Sequence, residues 1–398
     1  MGPARAEGPA GVTRATAALC RGTYGGRKDR PPSCAKEPAS MSQTGVSETA
    51  PPVLVRKDGR VGRLILNRPR ALNSLNREMV RLVAEALDAW EDDEEVAVVV
   101  LGGAGERGLC AGADIRGIHD DVRAGGGADS ARFWAEEYRL NSRIAHYPKP
   151  YVALMDGVVM GGGVGLSAHG SVRVVTERAQ VAMPECTIGF VPDVGGTWLL
   201  SRTPGELGTH LALTAGAVGA GDALLCGLAD HFVPGDRLAA FSAALADTPP
   251  ERALEEYARP APEAELTEHR EWIDACYAAD SVTEILRRLR ASGHPAAKEA
   301  AAAVGTKSPT SLKVTLAALR RARSLSCLEE ALEAEYRTSV AALSSPDLVE
   351  GVRAQIVDKD RRPRWSPATL EEVSEAEVAR HFAAAPGGDL ELPAGIEG

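Results

Sequence analysis

Two small-residue turns, Ala111-Gly112-Ala113-Asp114 and Gly161-Gly162-Gly163, each follow a strand-like run and lead into a helix. Such a turn presents unpaired backbone N–H groups where the partial positive charge of a helix start accumulates. Two of them aimed at one oxygen would stabilise the negative charge that develops when a carbonyl is attacked or its α-proton removed. Taken singly, either turn is equally an ordinary helix start. Downstream, in MPECTIGFVPDVGGTWLL (183–200), Glu185 and Asp193 stand in an apolar stretch broken by Pro184, Pro192 and Gly195-Gly196. Carboxylates in such surroundings are either salt-bridged structural groups or acid/base groups with shifted pKa. The neighbouring glycines, which let a ligand approach the backbone closely, favour a site.

Two other glycine patterns look chemical and fail on context. GAGERG (103–108) matches the G-x-G-x-x-G of dinucleotide-binding turns and follows a strand, but LCAGADI delays any helix to about Asp114 and no acidic residue ends a second strand downstream. A surface loop is the better reading. GLSAH (165–169) resembles the G-x-S-x-G elbow of serine hydrolases until His169 replaces the last glycine. Ser167 would also sit inside a helix, which makes it a packing residue. The eight histidines and seven cysteines show no C-x-x-C, H-x-H or H-x-x-x-H spacing, so no metal site is expected.

These residues need a rigid frame, and the chain is long enough to supply one. Its 398 residues, 44% hydrophobic and 25% charged, are those of an ordinary globular protein with room for a buried site. No apolar run approaches the roughly 20 residues that span a bilayer, so no membrane role is expected. A formal charge of -10 and the lack of a Lys/Arg-rich run argue against a nucleic-acid partner. An odd number of dispersed cysteines suits reduced thiols, and a cytoplasmic location is expected.

Residues 1–50, rich in Gly, Pro, Ala, Ser and Arg, bury too little to offset their ordering entropy and read as a disordered extension. Arg5, Arg14, Arg21 and Arg27 suit a targeting segment, Glu7, Asp29 and Glu37 spoil its amphipathic helix, and Met41 suits an over-extended start; these readings stay open. Order begins at Val53, where VLVRK, the turn Asp58-Gly59 and VGRLIL predict a hairpin. Met79, Leu82, Val83, Ala86, Leu87 and Trp90 follow helical spacing over 76–90. VAVVVL (96–101) reads as a strand covered on both faces, and 151–155 and 172–176 repeat that type. The alternation predicts an α/β core over 51–235 that carries the site. Over 236–375 the pattern turns helical, with helices expected at 237–246, 265–277, 282–291, 309–323, 327–343 and 347–357, and 376–398 is expected to be a frayed tail.

Four segments in this order, LNRPRALNSLN (66–76), GLCAGADIRGI (108–118), PKPYVALMDGVVMGGGVGLSAHG (148–170) and MPECTIGFVPDVGGTWLL (183–200), resemble the crotonase (enoyl-CoA hydratase/isomerase) superfamily. FWAEEYRLN (133–141), PDVGG and EGVRAQIVDKDRRPRWSP (350–367) are most similar to its 3-hydroxyisobutyryl-CoA hydrolases, thioesterases of valine breakdown. The resemblance runs from about Val53 to Val373. It implies an α/β fold, a crotonase-like spiral of β-β-α units with a helical C-terminal region. It also implies an acyl-CoA substrate, with coenzyme A belonging to the substrate and no separate cofactor. The oxyanion hole so implied falls on the N–H groups of Ala113 and Gly162, and the substrate-site carboxylates on Glu137, Glu185 and Asp193. In the hydrolases the residue matching Glu185 attacks the thioester carbonyl or activates water against it, and the residue matching Asp193 assists. Both roles of Glu185 stay open. Arg70, in a turn that matches a family coenzyme-binding turn, is implied as a phosphate partner, with Arg68 beside it.

Gly165 discriminates among the superfamily's reactions. Its hydratases carry a second catalytic glutamate three residues beyond the oxyanion-hole glycine, and water addition needs two carboxylates, so hydration is disfavoured while isomerisation stays open. Ala113 stands, as in the hydratases, where the hydrolases usually have glycine, and Cys186 stands where threonine is commoner. A silent acyl-CoA-binding protein is the reading from another class; the desolvation cost of idle buried carboxylates argues against it. The superfamily's trimers and dimers of trimers point to a homo-oligomer, and a C-terminal helical region that masks that interface is the other option.

Overall fold

The expected hairpin is present: β1 (Val53–Asp58) pairs antiparallel with β2 (Val61–Leu66), Val53 opposite Leu66, across a turn in which Gly59 takes φ +60°. The structure is a computed structural model describing residues 50–392. The expected N-terminal extension lies, up to residue 49, outside the described residues. After the hairpin the chain lays down strands in pairs. β3 (Val98–Gly103), β5 (Tyr151–Met155), β7 (Val172–Val175) and β9 (His231–Phe232) join one sheet of order β1-β2-β3-β5-β7-β9. β4 (Gly108–Cys110), β6 (Val158–Met160) and β8 (Gln180–Ala182) form a second sheet of order β4-β6-β8. Each turn of the spiral thus gives its first strand to the large sheet and its second to the small one, and all pairs after the hairpin are parallel. The β-branched runs of β3 and β5 suit strands buried on both faces.

Helices close each turn. α1 (Arg77–Glu91) starts at Asn76, whose side chain accepts from Met79 N at 3.0 Å, and buries Met79, Val83, Leu87 and Trp90. α2 (Ile115–Gly125) is capped by Asp114, and α3 (Ala128–Ala145), α4 (Gly162–Ser167), α5 (Gly196–Ser201), α6 (Leu207–Thr214) and α7 (Ala220–Leu225) complete the core. GAGERG closes β3 and opens β4 without starting a helix, and Ser167 lies buried in α4 with its hydroxyl donating to Gly163 O at 2.6 Å.

The C-terminal half is helical: α8 (Gly235–Ala244), α9 (Pro250–Tyr257), α10 (Leu266–Tyr277), α11 (Val282–Ala291), α12 (Pro295–Val304), α13 (Pro309–Ala322), α14 (Leu328–Ala342), α15 (Pro346–Val352) and α16 (Glu375–Arg380). The helix expected at 347–357 ends early, and Arg353–Val357 continue as one π turn. Ile273, Leu289, Leu316 and Leu332 share a single apolar core with Tyr138, Val164 and Val194, and from Pro51 on the described residues form one compact unit.

The tail expected to fray over 376–398 needs correction for its described part. α16 begins at Glu375, Ala385 and Leu390 are buried, Leu392 packs on the core, and Arg337 pairs with Asp389 at 2.9 Å. Apolar contacts of Ala385, Leu390 and Leu392 and a bidentate ion pair dock a segment whose Gly/Pro content suggests otherwise. Residues 393–398 lie outside the described residues. Leu390→Ala is expected to cost about 2 kcal/mol and lower the thermal midpoint by several degrees, against under about 0.5 kcal/mol for Val55→Ala on the surface, both read by calorimetry.

Candidate active site

The three short parallel strands of the small sheet end side by side, and each releases a residue of the site. β4 runs into Gly112-Ala113, β6 into Gly161-Gly162, and β8 through Met183 and Pro184 into Glu185. Ligands of α/β proteins bind at this carboxyl edge. Gly112 takes φ +98° and Gly161 φ +49°, so glycine is what lets both chains turn here. The turns abut: a β-carbon built on Gly162 would lie 3.5 Å from Ala113 N. Leu75 N donates to Gly112 O and Asp114 N to Leu75 O, which pins the first turn, while the N–H groups of Ala113 and Gly162 have no acceptor among the described residues.

Both N–H groups line a cavity of about 250 Å³ with Trp134, Glu137, Glu185, Phe190 and Asp193. Its apolar wall includes Trp134 stacked on Phe190, ring centres 5.1 Å apart. Leu348 of α15 and Gln355 and Ile356 of the π turn close it from the C-terminal half. A β-carbon on Gly351 would fall 2.3 Å from Ile188 O, so α15 is pressed against the turn that carries Glu185. The C-terminal helices are therefore part of the site's wall.

Glu137, on the buried face of α3, is 1% exposed and neither carboxylate oxygen has a partner among the described residues. A β-carbon at Gly162 would stand 2.6 Å from its Oε1, so any larger residue would displace that carboxylate. Glu185 opens a 3-10 turn (Glu185–Ile188), is 6% exposed, and its Oε2 is also without a partner. Burial raises both well above the ordinary carboxylate range, and the nearby charge of Asp193 adds to each rise. Asp193 is also buried, but its Oδ2 accepts from Tyr138 Oη at 2.7 Å, which in turn meets Ser339 Oγ at 2.7 Å. Burial still pushes Asp193 up to about 7 against that donor. Cys186, beside Glu185, is fully buried, its Sγ is 3.3 Å from Thr315 Oγ1, and burial pushes its thiol up to about 12.

Gly165 faces away from the cavity. A β-carbon there would meet Val194 Cβ at 2.6 Å and Asn141 Nδ2 at 2.9 Å, so packing requires glycine and leaves no room for a carboxylate. Arg68 is spent on structure, bonding Ser74 O at 2.6 Å and Asp114 at 2.9 Å beneath the first turn. Arg70 is exposed at the end of the 3-10 turn Pro69–Ala71 and does not line the cavity. Among the described residues no group of His, Cys, Asp and Glu side chains is arranged to hold a metal ion. The sequence reading missed Tyr138, Ser339 and the wall from Leu348, Gln355 and Ile356; helical spacing places Tyr138 on the face of Trp134 and Glu137, but nothing local marks the other four.

A family model described as enoyl-CoA hydratase/isomerase matches residues 61–382. The chain belongs to the enoyl-CoA hydratase/isomerase family. Among relatives of this family member, 3-hydroxyisobutyryl-CoA hydrolase, mitochondrial, of Gallus gallus is 41% identical over 357 residues, covering 87% of this chain and 92% of the relative. Its Homo sapiens counterpart is 40% identical with the same coverage, 87% and 92%. Among solved structures, a carnitinyl-CoA dehydratase from Mycobacterium thermoresistibile superposes with a TM-score of 0.83 at 53% identity, covering 85% of this chain and 98% of the other. An enoyl-CoA hydratase from Rhodobacter sphaeroides gives 0.81 at 44% identity, covering 86% and 100%. The crotonase-like fold expected from the motifs is the fold of this family member.

The cytoplasmic expectation is overturned by the hydrolase relatives, which are named mitochondrial. The inference from thiols fails for a physical reason: Cys110, Cys186, Cys226 and Cys276 are buried, so packing keeps them unpaired in any compartment. The raised carboxylates also set a stability test. With its folded pKa raised to about 7, Asp193 binds its proton more tightly folded than unfolded, so its destabilising effect is absent below about pH 4 and grows up to neutrality. Asp193→Asn is expected to raise the thermal midpoint by roughly a few degrees at pH 8, with the gain vanishing towards pH 4.

Proposed function

We propose that this family member hydrolyses an acyl-CoA thioester, with 3-hydroxyisobutyryl-CoA as the substrate and 3-hydroxyisobutyrate and coenzyme A as the products. The observation that carries the reading is the convergence, on one apolar cavity, of two acceptor-free N–H groups with the carboxylate of Glu185, whose Oε2 has no partner. The names of the hydrolase relatives support the same chemistry.

The thioester oxygen sits between the N–H groups of Ala113 and Gly162, which stabilise it as it becomes an oxyanion. Glu185 either attacks the carbonyl carbon, giving an anhydride that water opens, or takes a proton from water as water attacks. In both, the C–S bond breaks, the thiolate leaves as coenzyme A and takes up a proton, and the acid retains one oxygen from water. Asp193, whose pKa lies near neutrality, suits that proton traffic. Glu137, buried without a donor, supplies the acceptor for the substrate's 3-hydroxyl, and exposed Arg70 is the phosphate partner at the coenzyme end. The reading extends to valine breakdown through the substrate and to a mitochondrial setting through the relatives' names.

Hydration or dehydration of an enoyl-CoA is the second reading, favoured by the titles of the two solved structures and by the several carboxylates on one cavity. Against it stands the packing at Gly165, which bars a carboxylate from the position that the sequence comparison assigns to the hydratases' second glutamate.

The deciding assay follows free thiol from 3-hydroxyisobutyryl-CoA beside the loss of the conjugated chromophore of crotonyl-CoA. Thiol release is expected, and chromophore loss without thiol would overturn the hydrolase reading. Glu185→Gln is expected to lower kcat by at least about a hundredfold while coenzyme A still binds, and unchanged turnover would remove Glu185 from the chemistry. Because the raised carboxylates must lose protons to act, kcat/KM is expected to rise with pH through an acid limb near neutrality, read from a pH series. Glu137→Gln is expected to cut kcat/KM for 3-hydroxyisobutyryl-CoA by roughly ten- to a hundredfold more than for isobutyryl-CoA, which has no hydroxyl.

A further inference from the structure

The turn that presents Asp193 is strained. Val194, β-branched, takes φ +53°, a left-handed conformation that such residues rarely adopt, and Gly195 follows at φ +80°. Strain of this kind persists only where the surroundings over-determine it. Three elements do so here. From the end of α4, His169 lies 2.8 Å by its Nε2 from Val194 O; burial lowers the ring to about 4, so it is neutral, and this nitrogen carries the proton. A β-carbon at Gly195 would lie 2.4 Å from that same nitrogen, so the edge of the imidazole is pressed against the turn. From α14, Glu335, 2% exposed, accepts from Gly195 N at 2.6 Å with one oxygen and from Thr197 N at 2.8 Å and Thr197 Oγ1 at 2.5 Å with the other. One turn further along α14, fully buried Ser339 meets Tyr138 Oη of α3. Because the Tyr138 proton goes to Asp193, the Ser339 hydroxyl is the donor to Tyr138, and the two form a directed chain ending on the carboxylate. None of His169, Glu335, Ser339 and Tyr138 lines the acyl cavity, so whatever they do there passes through Asp193.

We propose that Glu335, His169 and the Ser339–Tyr138 pair are positioning residues, a brace that holds the 193–197 turn in its strained form and delivers Asp193 to the acyl cavity in one orientation. His169 and Glu335 hold the carbonyl and the N–H of the one peptide that joins Val194 to Gly195, Glu335 also holds Thr197 N, and Ser339 with Tyr138 fixes the side chain of Asp193. Helix α14 thereby governs the site from outside it. The kinetic consequences rest on the hydrolase reading above; the conformational ones do not.

The test uses the full chain and the variants Glu335→Gln, Ser339→Ala, Tyr138→Phe and the Ser339→Ala/Tyr138→Phe double. In Glu335→Gln one N–H of the turn faces an amide NH₂ in place of an oxygen, so hydrogen exchange at Gly195 and Thr197 is expected to quicken at least about tenfold. Asp193 is faced by Tyr138 and by the carboxylates of Glu137, Glu185 and Glu335. Removal of the Tyr138 donor takes away the larger of the two hydrogen bonds that lower it, a backbone one being the other, and the acid limb of kcat/KM is expected to move to higher pH in Tyr138→Phe and, by less, in Ser339→Ala. For both, kcat is expected to fall about tenfold with KM for the acyl-CoA within about threefold, since the cavity wall is unchanged. The double variant is expected to be no slower than Tyr138→Phe alone, because Ser339 acts through that hydroxyl. An unmoved acid limb together with additive losses overturns the side-chain half of the brace, and unchanged exchange in Glu335→Gln overturns the backbone half. If Glu335→Gln does not fold, exchange at the same amides in His169→Gln decides the backbone half, with an unchanged rate overturning it. A wild-type protein that releases no thiol refutes the hydrolase reading, and the exchange measurements then still decide the brace.

Discussion

Glu137, Glu185, Asp193 and Glu335 share one water-poor volume, and none of them pairs with a lysine or arginine among the described residues. Burial costs an unpaired carboxylate more than almost any other side chain, and each of the four is raised by it. The protein answers that cost unevenly. Asp193 receives a phenol and Glu335 two amides and a hydroxyl, whereas Glu137 and Oε2 of Glu185 receive nothing. The unmet pair faces the cavity together with two N–H groups that lack acceptors. Unsatisfied donors and acceptors of this sort are complementary to a ligand that carries a carbonyl, a hydroxyl and a water, and the shape of the site follows from that complementarity.

The spiral explains how so polar a set is assembled from residues far apart in the chain. Alternate strands go to alternate sheets, so each turn of the spiral contributes one strand end to the same edge of the small sheet. Three parallel strands of three residues each place Ala113, Gly162 and Glu185 next to one another. The C-terminal helices then do two jobs. α15 and the π turn wall one side of the cavity, and α14 reaches past it to the turn that bears Asp193.

How much of this could be read from the sequence depended on the length and contrast of each signal. The hairpin, α1 and the strands β3, β5 and β7 of the large sheet are well patterned runs, and their expected positions differ from the observed ones by no more than about two residues, whereas the two-residue β9 carries no signal. The small sheet carries no such signal, because three residues are too few for a period to show, although it organises the site. α9 and α12, PERALEEY and PAAKEAAAAV, have too few large apolar residues to stand out. Glu185, Asp193 and the two glycine turns were visible as chemistry against an apolar background, and Glu137 entered only through the family resemblance. Glu335 sits in LEEALEAEYR, where it is one of two buried acids among four and has nothing local to distinguish it. Its role depends on which face meets the core, a tertiary fact.

Cys186 has a consequence of a different kind. On the proposed reading, a thiol next to Glu185 would be a competing acceptor for the acyl group if it ionised and reached the cavity: its thiolate would displace coenzyme A and leave the protein acylated on sulfur. Thiol exchange requires the thiolate. Burial, aided by the charge of Glu185 and only partly offset by the contact with Thr315, holds Cys186 as the neutral thiol, about 12 being far above any physiological pH. On the hydrolase reading the carboxylates do the work while the stronger nucleophile beside them, which does not line the cavity, is kept silent, and the acyl group has only an oxygen exit.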